Sequence, residues 1–281
     1  MVTRSDPRLS RFDPLPQIHY FDDFDVGLQG WTALIGNYEE TLDSVLPGYQ
    51  DFGPPMLSNA SMWDTGSAGA FDGTYAMKLV TRPKSGCMTT AVKRVTWRYQ
   101  GPIQLEAYVT FKPEASELRL SELDVRSFGV LFDLHDATRR VMPHLRYLNA
   151  LDGQPVARWQ YKKELEVAEE IGTSGKTRSH HHLAPGGWLD VPGDPQPLCY
   201  NEIATKQNWH YIKVGFDLAS MTYLSFQCND REYDVSEIAP MSMPAWSNLW
   251  CMLNVVFFLE TDLDKRAFLY VDSVLLSGET D

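Results

Sequence analysis

The sequence predicts an all-β protein folded as a two-sheet antiparallel sandwich, and three observations predict it. Alternation is the first. Ile212, Val214, Phe216 and Leu218 alternate with Tyr211, Lys213, Gly215 and Asp217, the period of two that turns one side of a strand to a core. Turn chemistry is the second. Asp152-Gly153 and Asn229-Asp230 each stand between apolar runs, and these residue types tolerate the positive φ of tight hairpins. The third is the lack of convincing helical periodicity beside about a dozen strand-like segments, a number that needs two sheets face to face.

Taken in order, residues 1–16 read as an arm lying on the surface, followed by one sandwich domain over residues 17–281. The first strand falls near Gln17 to Phe21, and an acidic, turn-rich stretch leads to a second strand from Trp31 to Tyr38. Glu39 to Pro55 is loop with one helical turn. A Gly-rich segment from Asp64 leads into Thr74 to Val80, and Met88 to Trp97 is a strand. Ile103, Leu105, Ala107, Val109 and Phe111 mark an amphipathic strand; Phe128, Val130, Phe132 and Leu134 mark another. Asp152-Gly153 joins strands Val141 to Leu151 and Gln154 to Lys163. Residues 172–205 form a long loop rich in Gly and Pro, beyond the ~12–15 residues of an ordinary connection, which marks function or a lid. His180, His181 and His182 sit in it as a polar segment, since neighbours on an extended chain point alternately. The meander Trp209 to Ser236 follows, then strands Asn248 to Glu260 and Arg266 to Leu276.

The 281 residues are 43% hydrophobic, enough for one large core. A net charge of −12 with no basic stripe excludes a nucleic-acid partner and disfavours anionic membranes. No apolar run reaches the ~20 residues of a membrane span. Cys87, Cys199, Cys228 and Cys251 are widely spaced, which argues against a zinc site; Cys228 and Cys251 read as small core residues. No secretory signal is visible, so the expected location is the cytoplasm, or outside the cell if an upstream signal was removed.

Phe21-Asp22-Asp23-Phe24-Asp25 followed by Gly30-Trp31 resembles the opening strand of concanavalin A-like jelly rolls and related carbohydrate-binding modules. Gly73-Thr74-Tyr75-Ala76-Met77-Lys78-Leu79 resembles their second signature, and Tyr270-Val271-Asp272-Ser273-Val274-Leu275-Leu276 their closing strand. The three stand in the family's order across nearly the whole chain. The resemblance implies a jelly roll of two curved antiparallel sheets and a carbohydrate as ligand. The superfamily also holds glycosidases, lyases and inert interaction domains, so fold alone does not choose.

Three groups of candidate residues follow. Counting back from a two-residue turn at Asp152-Gly153, Arg146 opposes Trp159 and His144 opposes Tyr161, which places all four on one face. Asp133 and His135 on the preceding strand join it. Two aromatics, an arginine and a histidine are what a sugar or sugar acid requires: planes to lie against a pyranose and paired donors for hydroxyls or a carboxylate. The competing reading is a solvated face on which arginine stacks on tryptophan. The second group is Asp23, Asp25 and Asp272, which the resemblance brings together as oxygen ligands of a structural calcium ion. The third is catalytic. Glu164-Leu165-Glu166-Val167-Ala168-Glu169 resembles the E-x-D-x-x-E of laminarinase-type glycosidases, with Glu166 where those have Asp and Lys163 where they have Gly. The resemblance implies a nucleophile and an acid among Glu164, Glu166 and Glu169 on an inner strand; an acidic, solvated strand end or loop is the favoured reading. A lyase-like Gln17-Ile18-His19 and Tyr211 to Phe216 stand in the wrong order for that family. Carbohydrate binding is the expected function, a glycoside hydrolase the first alternative and an interaction sandwich without a sugar ligand the second.

Overall fold

The computed structural model describes residues 6–33, 53–58, 69–98, 100–114, 121–163, 168–171, 177–180, 186–200, 208–245 and 252–279. Two eight-stranded antiparallel sheets face each other, and no α-helix occurs among the described residues. The first sheet runs β15 (Arg231–Tyr233), β14 (Thr222–Cys228), β13 (His210–Asp217), β5 (Pro102–Pro113), β18 (Ala267–Gly278), β3 (Met77–Val80), β2 (Met56–Leu57). β1 (Gln17–Asp22) takes over from β3 along the second half of β18, beyond a bulge at Ser273 (φ 51°). The second sheet runs β12 (Trp188–Asp190), β9 (Gln154–Lys162), β8 (His144–Leu151), β6 (Val125–His135), β17 (Met252–Thr261), β4 (Met88–Thr96). β7 (Arg139–Met142) continues past β8 along β6 and carries β16 (Met241–Pro244).

Alternation sorts the side chains. Ile103, Leu105, Ala107, Val109 and Phe111 of β5 and Ile212, Val214 and Phe216 of β13 enter one core with Phe128, Val130, Phe132 and Leu134 of β6 and Leu253, Val255, Phe257 and Leu259 of β17. These are nearly inaccessible, and each such aliphatic or phenyl group contributes about 1.5–3 kcal/mol through burial. The meander forms as read: Asn229 takes φ 55° and joins β14 to β15. Val141 to Leu151 is not one strand; it splits at Pro143 into β7 and β8, because proline has no N–H for the ladder. In the stretch read as a long loop, β12 adds an edge strand to β9, and β11 (Thr177–His180) pairs with β10 (Ala168–Ile171) in a separate two-stranded sheet. Of the strand expected from Trp31, Thr32 makes a single bridge to Val92; the rest beyond residue 33 lies outside the described residues.

The arm covers the outward face of the first sheet. Leu9 and Phe12 form a cluster with Phe21 and Leu275, against Tyr108 and Tyr211. Beneath it Glu106 is fully buried and accepts from Tyr211 Oη at 2.5 Å, Asp13 N at 2.9 Å and Gln104 Nε2 at 2.9 Å.

Candidate functional site: the outward face of the second sheet

The β8–β9 hairpin decides which side chains reach this face. Asp152 (φ 52°) and Gly153 (φ 72°) make the expected turn, and their N–H groups donate to Asp262 at 3.1 and 2.6 Å. Pairing starts as counted, Leu151 with Gln154 and Ala150 with Pro155. β9 then inserts one extra residue: Leu148 pairs with Arg158, and Ala157 takes φ 56°. A one-residue bulge exchanges the two faces beyond it. Arg146 therefore opposes Gln160, and Trp159 opposes Tyr147.

The single face expected for His144, Arg146, Trp159 and Tyr161 is thus divided. Trp159, 3% exposed, lies in the core with its ring 4.8 Å edge-to-face from Phe226, and its Nε1 donates to Gln196 at 3.1 Å. Tyr161 packs against the same core. Arg146 and His144 stay outward, joined by Gln160 and Lys162 of β9. Register then adds β12, since Trp188 pairs with Lys162 and Asp190 with Gln160.

These groups touch. Arg146 Nε donates to Gln160 Oε1 at 2.9 Å, and Gln160 Nε2 donates to Asp190 Oδ1 at 2.8 Å. The Arg146 guanidinium lies 4.1 Å from the Trp188 ring centroid, and His144 meets the same indole edge-on at 5.8 Å. The stacked Arg–Trp pair of the competing reading therefore exists, but with Trp188, not Trp159. Glu260 Oε2 stands 3.8 Å from Arg146 Nη1 and accepts from Ser127 Oγ at 3.0 Å. Burial pushes the Arg146 pKa down to about 10, against the pull of Glu260.

Asp133 and His135 lie further along β6. Gly129 pairs with Arg146, and four strand residues place Asp133 roughly 13 Å away at ~3.3 Å per residue. Asp133 is held by Arg140 through bonds of 2.8 and 2.7 Å. His135, 4% exposed, has no partner for either ring nitrogen among the described residues and borders a cavity of 190 Å³ with Trp97, Met221 and Met252. Burial lowers its pKa, with Asp133 acting the other way.

Glu164 and Glu166 lie outside the described residues. Glu169 is on β10, which among the described residues pairs with β11 alone, Glu169 opposite Ser179. It is not on an inner strand of the sandwich, as the glycosidase resemblance requires. The aspartates divide too. Asp23 pairs with Arg8 at 2.7 Å. Asp25 Oδ1 accepts from the N–H groups of Thr74 (2.5 Å) and Tyr75 (3.1 Å). Asp272 accepts from Phe71, Asp72 and Ser273 at 2.7, 3.1 and 2.6 Å. Asp25 and Asp272 thus clasp one loop, 71–75. Among the described residues no group of three or more His, Cys, Asp or Glu is placed to hold a metal ion. Burial raises the Asp272 pKa to about 7, the N–H groups oppose it, and Asp25 adds to it.

Gln160, Lys162, Trp188, Asp190 and Glu260 were missed as members of this face. Trp188-Leu189-Asp190 between Gly187 and Pro192 carried the signal of a short edge strand.

A family model described as "Domain of unknown function (DUF6772)" matches residues 1–280. The chain belongs to the DUF6772 family. No curated protein matches it. Solved structures similar to this DUF6772 chain include the endo-β-1,4-glucuronan lyase of the fungus Trichoderma reesei, 8% identical, covering 93% of this chain and 96% of that one with a TM-score of 0.44. Another is the CBM22-1 xylan-binding domain of Paenibacillus barcinonensis Xyn10C, 11% identical, 96% and 99% covered, TM-score 0.37. A CBM4 structure is 13% identical, 91% and 99% covered, TM-score 0.32. The DUF6772 fold is the jelly-roll sandwich that the sequence resemblance implied.

Proposed function

We propose that the DUF6772 chain binds carbohydrate on the outward face of its second sheet, at the β8–β9–β12 edge. The observation that carries this reading is the row Arg146–Gln160–Asp190, three planar polar groups joined by hydrogen bonds of 2.9 and 2.8 Å and backed by Trp188. Planar side chains fixed on neighbouring strands offer paired donors and acceptors, which match the adjacent hydroxyls of a sugar. Strands hold them without the entropy cost of ordering a loop. Glycan-array screening followed by calorimetry tests the reading. Gln160→Ala and Asp190→Ala should each weaken binding about tenfold, the loss of one good hydrogen bond to ligand, with the β-sheet circular dichroism spectrum retained. Binding that survives both substitutions, or no glycan bound at all, refutes it. Release of reducing ends from a bound glycan would favour the hydrolase alternative.

A calcium ion at the Asp25–Asp272 clasp belongs to the same proposal. Among the described residues Asp25 Oδ2 takes no part in the bonds above, and Asp272 Oδ1 accepts one. Two carboxylates supply a minority of calcium's six to eight oxygens. Melting in calcium against melting in chelator tests it: a higher melting temperature in calcium supports the ion, and identical curves remove it.

A further inference from the structure

Arg146 is a nearly buried charge whose nearest counter-ion among the described residues, Glu260, stands 3.8 Å away and accepts no hydrogen bond from it. Its side chain is 12% exposed. Nε is used by Gln160 and the guanidinium plane by Trp188. Nη1 and Nη2 make no hydrogen bond among the described residues. The nearest carboxylate oxygen, of Glu260, is 3.8 Å from Nη1, beyond hydrogen-bond range, and already accepts from Ser127. The other Glu260 oxygen stands 3.3 Å from Arg126 Nη1. Asp190 lies beyond Gln160, with Arg158 at 3.7 Å. Lys162, fully buried, brings a second positive charge within 5.4 Å of the same indole.

A dehydrated guanidinium is costly unless an anion meets it. A hydroxyl would satisfy its N–H groups but add nothing to the distant pull of Glu260 on its charge. A carboxylate does both, in the two-pronged geometry a guanidinium edge presents. We infer that the face takes an acidic sugar, a uronate whose carboxylate pairs with the terminal nitrogens of Arg146. This rests on the carbohydrate reading above and narrows it. The net charge of −12 works against attraction of polyanions in general, so a preference for uronates would come from the site.

The test is calorimetric titration of the full chain with galacturonan, glucuronan and alginate oligosaccharides. Each is set beside its carboxyl-reduced form and beside a sulfated galactan. At least one uronate should bind about tenfold or more tighter than its reduced counterpart and than the sulfated chain, the usual worth of a charge-assisted pair. Arg146→Gln should bring that ratio close to one. Equal binding of acidic and reduced forms, equal binding of the sulfated chain, or a ratio unchanged in Arg146→Gln overturns the inference. Neutral-glycan binding that depends on Gln160 would then leave the carbohydrate reading standing, whereas no binding to any member overturns both. Should Arg146→Gln fail to fold, the acidic and reduced pair on the unaltered chain decides alone.

Discussion

Glu106 and Asp272 on the first sheet, and Arg146 and His135 on the second, are buried in opposite ways. On the first sheet Glu106 is sealed beneath the arm with three donors on its two oxygens. Asp272, on the same sheet, is clasped by three backbone N–H groups. On the second sheet the terminal nitrogens of Arg146, both ring nitrogens of His135 and Oδ1 of Asn254 make no hydrogen bond among the described residues. Burial alone does not separate structure from function, since both faces are buried. Closure of the hydrogen bonds distinguishes Glu106 from Arg146, while His19 Nε2 and Thr110 Oγ1 on the first sheet are also without a partner among the described residues. Where every donor has an acceptor within the chain, the group holds the fold; where donors are left over, a ligand has something to meet.

Four experiments put that contrast to the test. The largest effect is expected for Trp159→Ala. If the bulge at Ala157 turns Trp159 into the core, the substitution leaves a cavity and costs about 4 kcal/mol in denaturant unfolding. A stable variant with lost sugar binding would instead restore Trp159 to the ligand face. Next comes Glu106→Ala, which strands Tyr211 Oη and Asp13 N and leaves Gln104 Nε2 with its bond to Asp13 O alone. It should cost about 3 kcal/mol and speed amide exchange in residues 9–15 while glycan binding persists. Unchanged exchange there would mean that Glu106 does not hold the arm.

The third concerns pH. The folded pKa of Asp272, about 7, lies above the ~3.9 of an unfolded aspartate. The folded chain therefore holds this proton more tightly. The contribution is complete below about pH 4 and is lost as pH rises through 7. Stability relative to Asp272→Asn should fall on the order of 3–4 kcal/mol between pH 4 and 7.5, followed by denaturant midpoints. Calcium bound at the clasp would flatten this slope. A slope of the opposite sign would show a carboxylate already compensated. The smallest effect is Ala157→Gly. Relieving a positive φ of 56° at the bulge should stabilise the chain by up to about 1 kcal/mol; a loss of stability would argue for a different register.

Strand identity was legible because alternation is written residue by residue. Ile212 to Leu218 and Ile103 to Phe111 could bury their apolar sides in only one way. The turn at Asp152-Gly153 was legible for a similar reason, since few residue pairs accept its backbone. The bulge four residues later was not. Its extra residue is an alanine, which carries no mark of a positive φ, and the hydrogen bond at its carbonyl, Gln196 N to Ala157 O at 2.8 Å, comes from far along the chain. One silent insertion moved Trp159 and Tyr161 to the core and brought Gln160 outward. Trp188 escaped for another reason. A three-residue edge strand has too few positions to show a period, and the Gly and Pro around it read as loop. The role of the arm could not be seen because Glu106 looks, in sequence, like any polar residue on a solvated face.

β18 sits between β5 on one side and β3 and β1 on the other. Gln17 pairs with Gly278, so a strand made early has no partner until one made very late arrives. During synthesis β5, β3 and β1 must wait with open edges, exposed to pairing with other chains. Closing loops of such length sets a slow step, as it does in sandwiches generally. Refolding should therefore be limited by the docking of β18, and a chain interrupted before it would leave the first sheet in separate pieces.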